Sequence, residues 1–490
     1  MVTFEEFEKI FKPKTAAVIG VSNTPMGGGG MFLGALKDMG FPKLYPVNPN
    51  EDEVMGLKCY PSVKEIPEDV DFALISVRAK IVPQIISECV QKGVKGVAIF
   101  TAGFGEVGEE GKKLEMEIVE NAGDKLIVIG PNCMGIHCPS SKLSFVPGAP
   151  KESGRVGFIS QSGAHATFSI MLGHGLGINF SKVISFGNAC QLEGSDFIEY
   201  LGEDPETDII AMYVEGVKDG RRFFDILRKV AQKKPIIIWR GGVTEAGSRA
   251  AHSHTGSLAG TKIIWDSLFK QTGAIPVETS EELFDTIKTF INLPPATGRR
   301  VAIITGGGGQ TVTSSDACFK AGLKVPPIDS ETKKKLKDIL RIPGTIPSNP
   351  VDYSAAGMNP SVVRNIIKLM ASHEDIDALM VMQMVGGGMS NAMMSTSFAQ
   401  QILPQFSEVS EEEFPKLMNQ FIQGVLSGTI KTKKTIEKPL LSITGYGEEE
   451  LETILKLQNA GIPVYPTFDR AAKAYANFVE YYEFLGKRDE

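Results

Sequence analysis

The sequence predicts an α/β protein made of three successive blocks, each organised around a parallel sheet. Two observations carry this expectation. Short apolar strands alternate with helix-length segments along most of the chain, and three times such a strand runs into a glycine-rich turn that opens a helix. The first block opens with the strand Thr15–Gly20 (TAAVIG), the loop VSNTPMGGGG and the helical stretch FLGALKDMG. Strands follow at KLYPVNP, DFALISV, GVAIF and LIVIG, separated by segments such as IVPQIISECVQKG. That alternation implies a doubly wound sheet, on which ligands bind outside the strand carboxyl ends. The block is expected to span 1–147.

The second block, expected over 148–296, starts with the strand GRVGFIS, turns at QSGA and enters a helix from His165 to Leu172. Strands KVISFG, DIIAMYVEG and KPIIIWRGG follow, and Thr279-Ser-Glu-Glu282 has the form of a capping box opening the closing helix. The linker INLPPATGRR carries two prolines and a glycine. The third block, 297–490, repeats the layout of the second: RRVAIIT, the turn GGGGQ, then the helix TVTSSDACFKAG. The two read as copies of one flavodoxin-like design. A Met- and polar-rich stretch from about 386 to 438 reads as a partly helical insertion between the strands DALMVMQMV and PLLSITG.

Composition limits the function classes. With 42% hydrophobic and 22% charged residues the 490-residue chain can bury ample core, and no run approaches the ~20 apolar residues of a membrane helix. A net charge of −7 without a basic stripe argues against nucleic-acid partners. The six cysteines form no CxxC pair, which favours reduced thiols and a cytoplasmic location.

Each glycine turn can hold an anion on backbone N–H groups at a helix N-terminus, or can simply be a tight turn. No Walker A sequence is present, and the first turn lacks a clean G-x-G-x-x-G, which disfavours a nicotinamide-dependent oxidoreductase. Of six histidines, His252 and His254 stand together in RAAHSHTGSLAG. His254, before Thr-Gly-Ser in a polar stretch read as a loop, is placed for nucleophilic or base chemistry, or else stabilises the loop.

That segment, RGGVTEAGSRAAHSHTGSLAG, resembles the phosphohistidine loop of ADP-forming acyl-CoA synthetases, relatives of succinyl-CoA synthetase. The resemblance extends over most of the chain. KLYPVNPNEDEVMGLKCYPSVKEIP, TAGFGEVGEEG and IGPNCMGI are similar to the family's Rossmann-like CoA-binding domain, FISQSGA, SFGN and YVEGVKDGRRF to its next domain, and VAIIT with NPVDYS to its last.

The resemblance implies a ligase subunit that converts a carboxylic acid, CoA and ATP to acyl-CoA, ADP and phosphate through an acyl phosphate. It makes His254 the phosphorylated residue and Glu215 the carboxylate that holds its ring. Helix N-termini at Ser162 and Gly163 and at Gly308, Gly309 and Gln310 would bind the phosphoryl group. CoA would meet Gly20, Val21 and Ser22, then Val47 and Asn48, Ser76, Val77 and Arg78, and Thr101, Ala102 and Gly103, with Asn132 and Cys133 near the thiol. Arg78 stands where the family usually has proline, and GGGGQ departs from the commoner Asn-Ala-Gly-Gly-Pro. The chain ends soon after the third block, so ATP or ADP with Mg is expected on a separate ATP-grasp beta subunit, in a heterodimer or heterotetramer. The competing reading is a CoA-binding regulatory protein without catalysis. Acetate, a branched or aryl acid, a dicarboxylate and a sulfonated acid all fit the sequence.

Overall fold

Three parallel sheets form, and in each the first strand of the block lies inside the sheet with its second and third strands on either side. The computed structural model describes residues 2–24, 28–255, 262–383, 414–444 and 451–489, and the chain divides into two compact units, Met1–Leu283 and Phe284–Glu490.

The first unit holds two sheets. One runs in the order Leu44–Val47, Ala16–Ile19, Phe72–Ile75, Gly96–Ile99, Ile127–Ile129, all parallel. Ala16–Ile19 is buried at every position, as an apolar run in a sheet covered on both faces must be. The second sheet takes the parallel order Ile275–Val277, Ile236–Arg240, Ile209–Val214, Val156–Ser160, Phe180–Ser185. Two antiparallel strands extend it, Gly135–Cys138 and Leu143–Ser144. These lie before residue 147, yet they hydrogen-bond into the second sheet rather than the first.

An N-terminal helix, Phe4–Phe11, is fixed by a capping box between Thr3 and Glu6. Its apolar face stacks on the second sheet's helix Gly194–Glu203, with Phe11 4.8 Å from Tyr200. Beneath it Lys182 is fully buried and paired with Asp204 and Glu206, each at 2.8 Å.

The second unit carries the third sheet, in the parallel order Val351–Asp352, Val301–Thr305, Ala378–Met382, Leu440–Ile443, Val464–Tyr465. The same order recurs in the parallel part of all three sheets, so each has a crevice between its first and third strands where the helices change sides. The first part of the expected insertion lies outside the described residues; its later part is the helix Phe414–Lys433. Among the described residues no helix is long and apolar enough to cross a membrane.

Candidate active site

At the carboxyl end of the first sheet, four of the expected CoA segments converge. Gly20 follows Ala16–Ile19 and donates its N–H to Val47 O at 2.9 Å. Its φ is +92°, and a Cβ there would sit 2.2 Å from Ser76 O, so only glycine allows the two turns to touch. The Asn48 side chain bonds Val21 O, and Thr101 Oγ1 donates to Val77 O at 2.6 Å. Ser22 continues the first turn, and Arg78 is exposed ahead of the short turn Ala79–Ile81. Glu106 anchors the next turn by accepting from Gly103 N at 2.6 Å and Phe104 N at 3.2 Å.

The Asn132–Cys133 loop leaves this sheet and meets the second one. Asn132 N donates to Thr101 O at 3.0 Å, while Asn188 N and Cys190 N each donate back to this loop at 2.9 Å, on Pro131 O and Gly130 O. A Cβ at Gly187 would lie 2.2 Å from Pro131 O, so this approach too requires glycine. The result is a cavity of about 500 Å³ bordered by Phe100, Ala102, Asn132, Cys133, Ser162 and Gly163. Cys133 is 3% exposed, and burial pushes its thiol up to about 12, so it packs the wall and is not a nucleophile at neutral pH.

Ser162 caps the helix Gly163–Gly175, its hydroxyl accepting from His165 N at 3.3 Å. This is the crevice of the second sheet, and the helix start points its free N–H groups and partial positive charge there. Across the crevice, Glu215 is 7% exposed just past the strand Ile209–Val214. Its carboxylate accepts from Tyr213 Oη at 3.1 Å, and its own N–H donates to Gln161 Oε1 at 2.8 Å. His165 packs tilted against Tyr213 and edge-to-face against Trp239, at 4.3 and 4.7 Å between centroids. Burial lowers its pKa, partly offset by Glu215, so the ring is neutral near pH 7.

The segment read as the phosphohistidine loop is a helix in its first part, Glu245–Thr255, which carries His254. Thr244 Oγ1 accepts from Gly247 N at 3.0 Å and Glu245 pairs with Arg249 at 2.7 Å, enough to start a helix despite the glycine and serines. The His254 side chain lies outside the described residues. In the second unit, Gly308 and Gly309 open the helix Gly308–Lys320 behind Gly307, which supplies no side-chain cap. Gln310 is tied down, its Oε1 accepting from Thr305 Oγ1 at 2.6 Å.

Comparison with known proteins matches residues 14–139 to the CoA binding domain family, 153–290 to the succinyl-CoA ligase like flavodoxin domain and 301–437 to the Ligase-CoA domain. The alpha subunit of ADP-forming acetate–CoA ligase II from Pyrococcus furiosus is 39% identical, over 95% of this chain and 96% of that relative. The chain belongs to the ADP-forming acetate–CoA ligase alpha subunits. A second family member, ADP-forming acetate–CoA ligase from Methanocaldococcus jannaschii, is 42% identical over 71% of this chain, which spans 49% of that longer relative. Among solved structures, the dinucleotide-forming acetyl-coenzyme A synthetase 1 of Ca. Korarchaeum cryptofilum, in complex with phosphate and ADP, aligns at TM-score 0.81 with 32% identity over 98% of both chains.

Within this acetate–CoA ligase alpha-subunit frame, the first unit brings together the expected residues Ala102, Asn132, Cys133, Ser162 and Gly163 on one cavity. Sequence reasoning passed over Gln161, Gly187 and Asn188, which border the same space. Asn188 Nδ2 reaches Glu115 Oε1 at 2.8 Å, and its motif SFGN follows a strand end, the one signal that marked the position.

Proposed function

We propose that this chain is the CoA-binding, phosphohistidine-carrying alpha subunit of an ADP-forming acid–CoA ligase that works with an ATP-grasp beta subunit in the cytoplasm. The observation that carries the reading is the single cavity shared by the Asn132–Cys133 loop of the CoA-binding sheet and the Ser162–Gly163 helix start. A thioester is made where a CoA thiol and a phosphoryl-activated carboxylate meet, and a 500 Å³ space bounded by both elements admits that encounter.

In this reading the partner, holding ATP and Mg, phosphorylates His254 and releases ADP. The substrate carboxylate attacks the phosphorus, the P–N bond breaks, and an acyl phosphate forms. The CoA thiol then attacks the acyl carbon, losing its proton, and phosphate leaves. Backbone N–H groups at Ser162–Gly163, and those at Gly308–Gln310, are assigned to the phosphoryl oxygens, whose charge they stabilise without a protein cation. Glu215 is assigned to the imidazole of His254, whose cationic form it favours. The turns at Gly20–Ser22, Val47–Asn48, Ser76–Arg78 and Thr101–Gly103 are assigned to CoA.

The test is labelling with γ-phosphate-labelled ATP in the presence of the partner subunit. Acid-labile, base-stable label is expected on the wild type and on His252→Ala, and none on His254→Ala. Label retained by His254→Ala would reject the assignment, and no label on any form would favour a CoA-binding regulator.

A further inference from the structure

At the carboxyl end of the strand Ile209–Val214, Tyr213 and Glu215 are both buried, and because they flank Val214 their side chains point to one face of the sheet. The Tyr213 hydroxyl donates to Glu215 Oε1 at 3.1 Å. We propose that Tyr213 is a positioning residue for the phosphoryl-transfer step, and that its hydroxyl aims the Glu215 carboxylate at the imidazole of His254. The inference rests on the ligase reading, because it takes His254 as the phosphorylated residue and Glu215 as its ring partner.

Packing alone does not call for a hydroxyl here. The Tyr213 ring is held between His165 and Trp239, at 4.3 and 4.8 Å between centroids, and a phenylalanine ring would fill that space as well. What the oxygen adds is a donor at a fixed point. Burial, and then the neighbouring Glu215 charge, push the phenol above its usual value, so at neutral pH it keeps the proton that it gives to the carboxylate. Glu215 is thereby pinned at both ends, its N–H on Gln161 Oε1 at 2.8 Å and its Oε1 on Tyr213. A carboxylate held in this way pays little ordering entropy when its partner ring arrives.

The chain that leads to His254 passes over the same pair. Gly241 follows the strand Ile236–Arg240 and donates its N–H to Val214 O at 2.9 Å. A Cβ at Gly241 would lie 2.6 Å from Tyr213 Oη and 3.2 Å from Glu215 Cγ, so a side chain there would push the pair apart. From this contact the backbone runs on into the helix Glu245–Thr255, which carries His254. The Tyr213–Glu215 hydrogen bond thus sits at the root of the segment it is assigned to serve.

The experiment uses the full chain with its partner subunit and reads the single-turnover rate at which acid-labile, base-stable label from γ-phosphate-labelled ATP appears on His254. Tyr213→Phe keeps the ring and removes the donor, and the rate is expected to fall roughly tenfold, the order set by one hydrogen bond to a charged group. Melting temperature and the isothermal titration with CoA serve as controls and should stay near the wild type. The decisive arm repeats the substitution in Glu215→Gln, where no charge remains to be aimed. There Tyr213→Phe should cost ~2-fold or less, because two residues acting through one contact do not add. A wild-type rate in Tyr213→Phe overturns the positioning role. So does an equal loss with and without the Glu215 charge, which would mark Tyr213 as structural, and either result leaves the ligase reading intact. Absence of label on the wild type rejects the ligase reading, and the role given to Tyr213 falls with it.

Discussion

In the first unit the helix Gly163–Gly175 starts from a serine whose hydroxyl caps it, and the imidazole of its own His165 packs on Tyr213 and Trp239, beside the Glu215 carboxylate. In the second unit the helix Gly308–Lys320 starts from an uncapped glycine, and Gln310 in its first turn is turned back onto Thr305. The contrast extends to the third strand of each sheet. Past Ile209–Val214 comes Glu215, whereas past Ala378–Met382 comes Gln383, 2% exposed and with an amide that has no hydrogen-bond partner among the described residues. The same framework thus offers a charged acceptor in one copy and a neutral, unsatisfied group in the other. Both copies open a helix at the crevice, and only the first follows its third strand with a carboxylate.

The largest expected effect tests how differently the two units are held together. Lys182→Met removes one side of the buried ion pair and strands Asp204, which costs ~3–5 kcal/mol for pairs of this kind. Hydrogen exchange should then quicken in Val156–Ser160 and Phe180–Ser185 while Val301–Thr305 and Ala378–Met382 keep their protection. Uniform loss of protection across both units would show that the pair's contribution is not local to the first.

Acid should separate the units next. His137 is buried against Ser144 Oγ at 2.9 Å, and burial lowers its pKa from 6.5 to about 4. Below pH 6.5 the unfolded chain takes up a proton that the folded chain refuses until about pH 4. The stability from a neutral His137 is therefore complete above about pH 6.5 and falls away towards pH 4, by about 3 kcal/mol in all. Among the described residues the second unit has no buried histidine. Urea midpoints at pH 7 and 4.5 should fall further apart for the wild type than for His137→Gln, and equal spacing would remove His137 from the account.

Glu215→Gln addresses the contrast at its centre. The amide keeps the shape but removes the charge, and loss of one charge-assisted bond to a developing imidazolium costs ~1.5–3 kcal/mol, roughly ten- to a hundredfold in the rate of His254 phosphorylation. CoA binding, read by isothermal titration, should not change. Collapse of CoA affinity with normal phosphorylation would assign Glu215 to a different task. The smallest effect is expected at the counterpart position: Gln383→Leu replaces an unsatisfied buried amide with an apolar group and should be neutral or stabilising by ~1 kcal/mol. Clear destabilisation in thermal melts would mean that the amide is serving something.

Much of this was legible in the residues. Runs such as AAVI, VGFIS and VAIIT are short, apolar and followed by glycine turns, so strands, helix starts and the repeated layout follow from local chemistry. Thr279 caps its helix as the pattern predicts, accepting from Glu282 N at 3.1 Å, although Glu282 reaches back to Glu278 N instead of the cap residue. The helical start of the His254 segment was not legible, because Gly247, Ser248 and Ser253 obscure a cap that depends on Thr244. Nor were Gln161 and Asn188. Their roles depend on which distant strands pair, and local propensity carries no record of that pairing.

The strands Gly135–Cys138 and Leu143–Ser144 bear on how such proteins can be recombined. Because they continue the second sheet, the Asn132–Cys133 loop is strung between two sheets rather than trailing from one. A chimera that exchanges the CoA-binding part by cutting at residue 147 would carry these two strands with it and force them to pair with the Phe180–Ser185 edge of a sheet they did not come from. Whoever swaps this module must carry residues 1–283 as one piece, so the Asn132–Cys133 loop and the Ser162–Gly163 turn are inherited together.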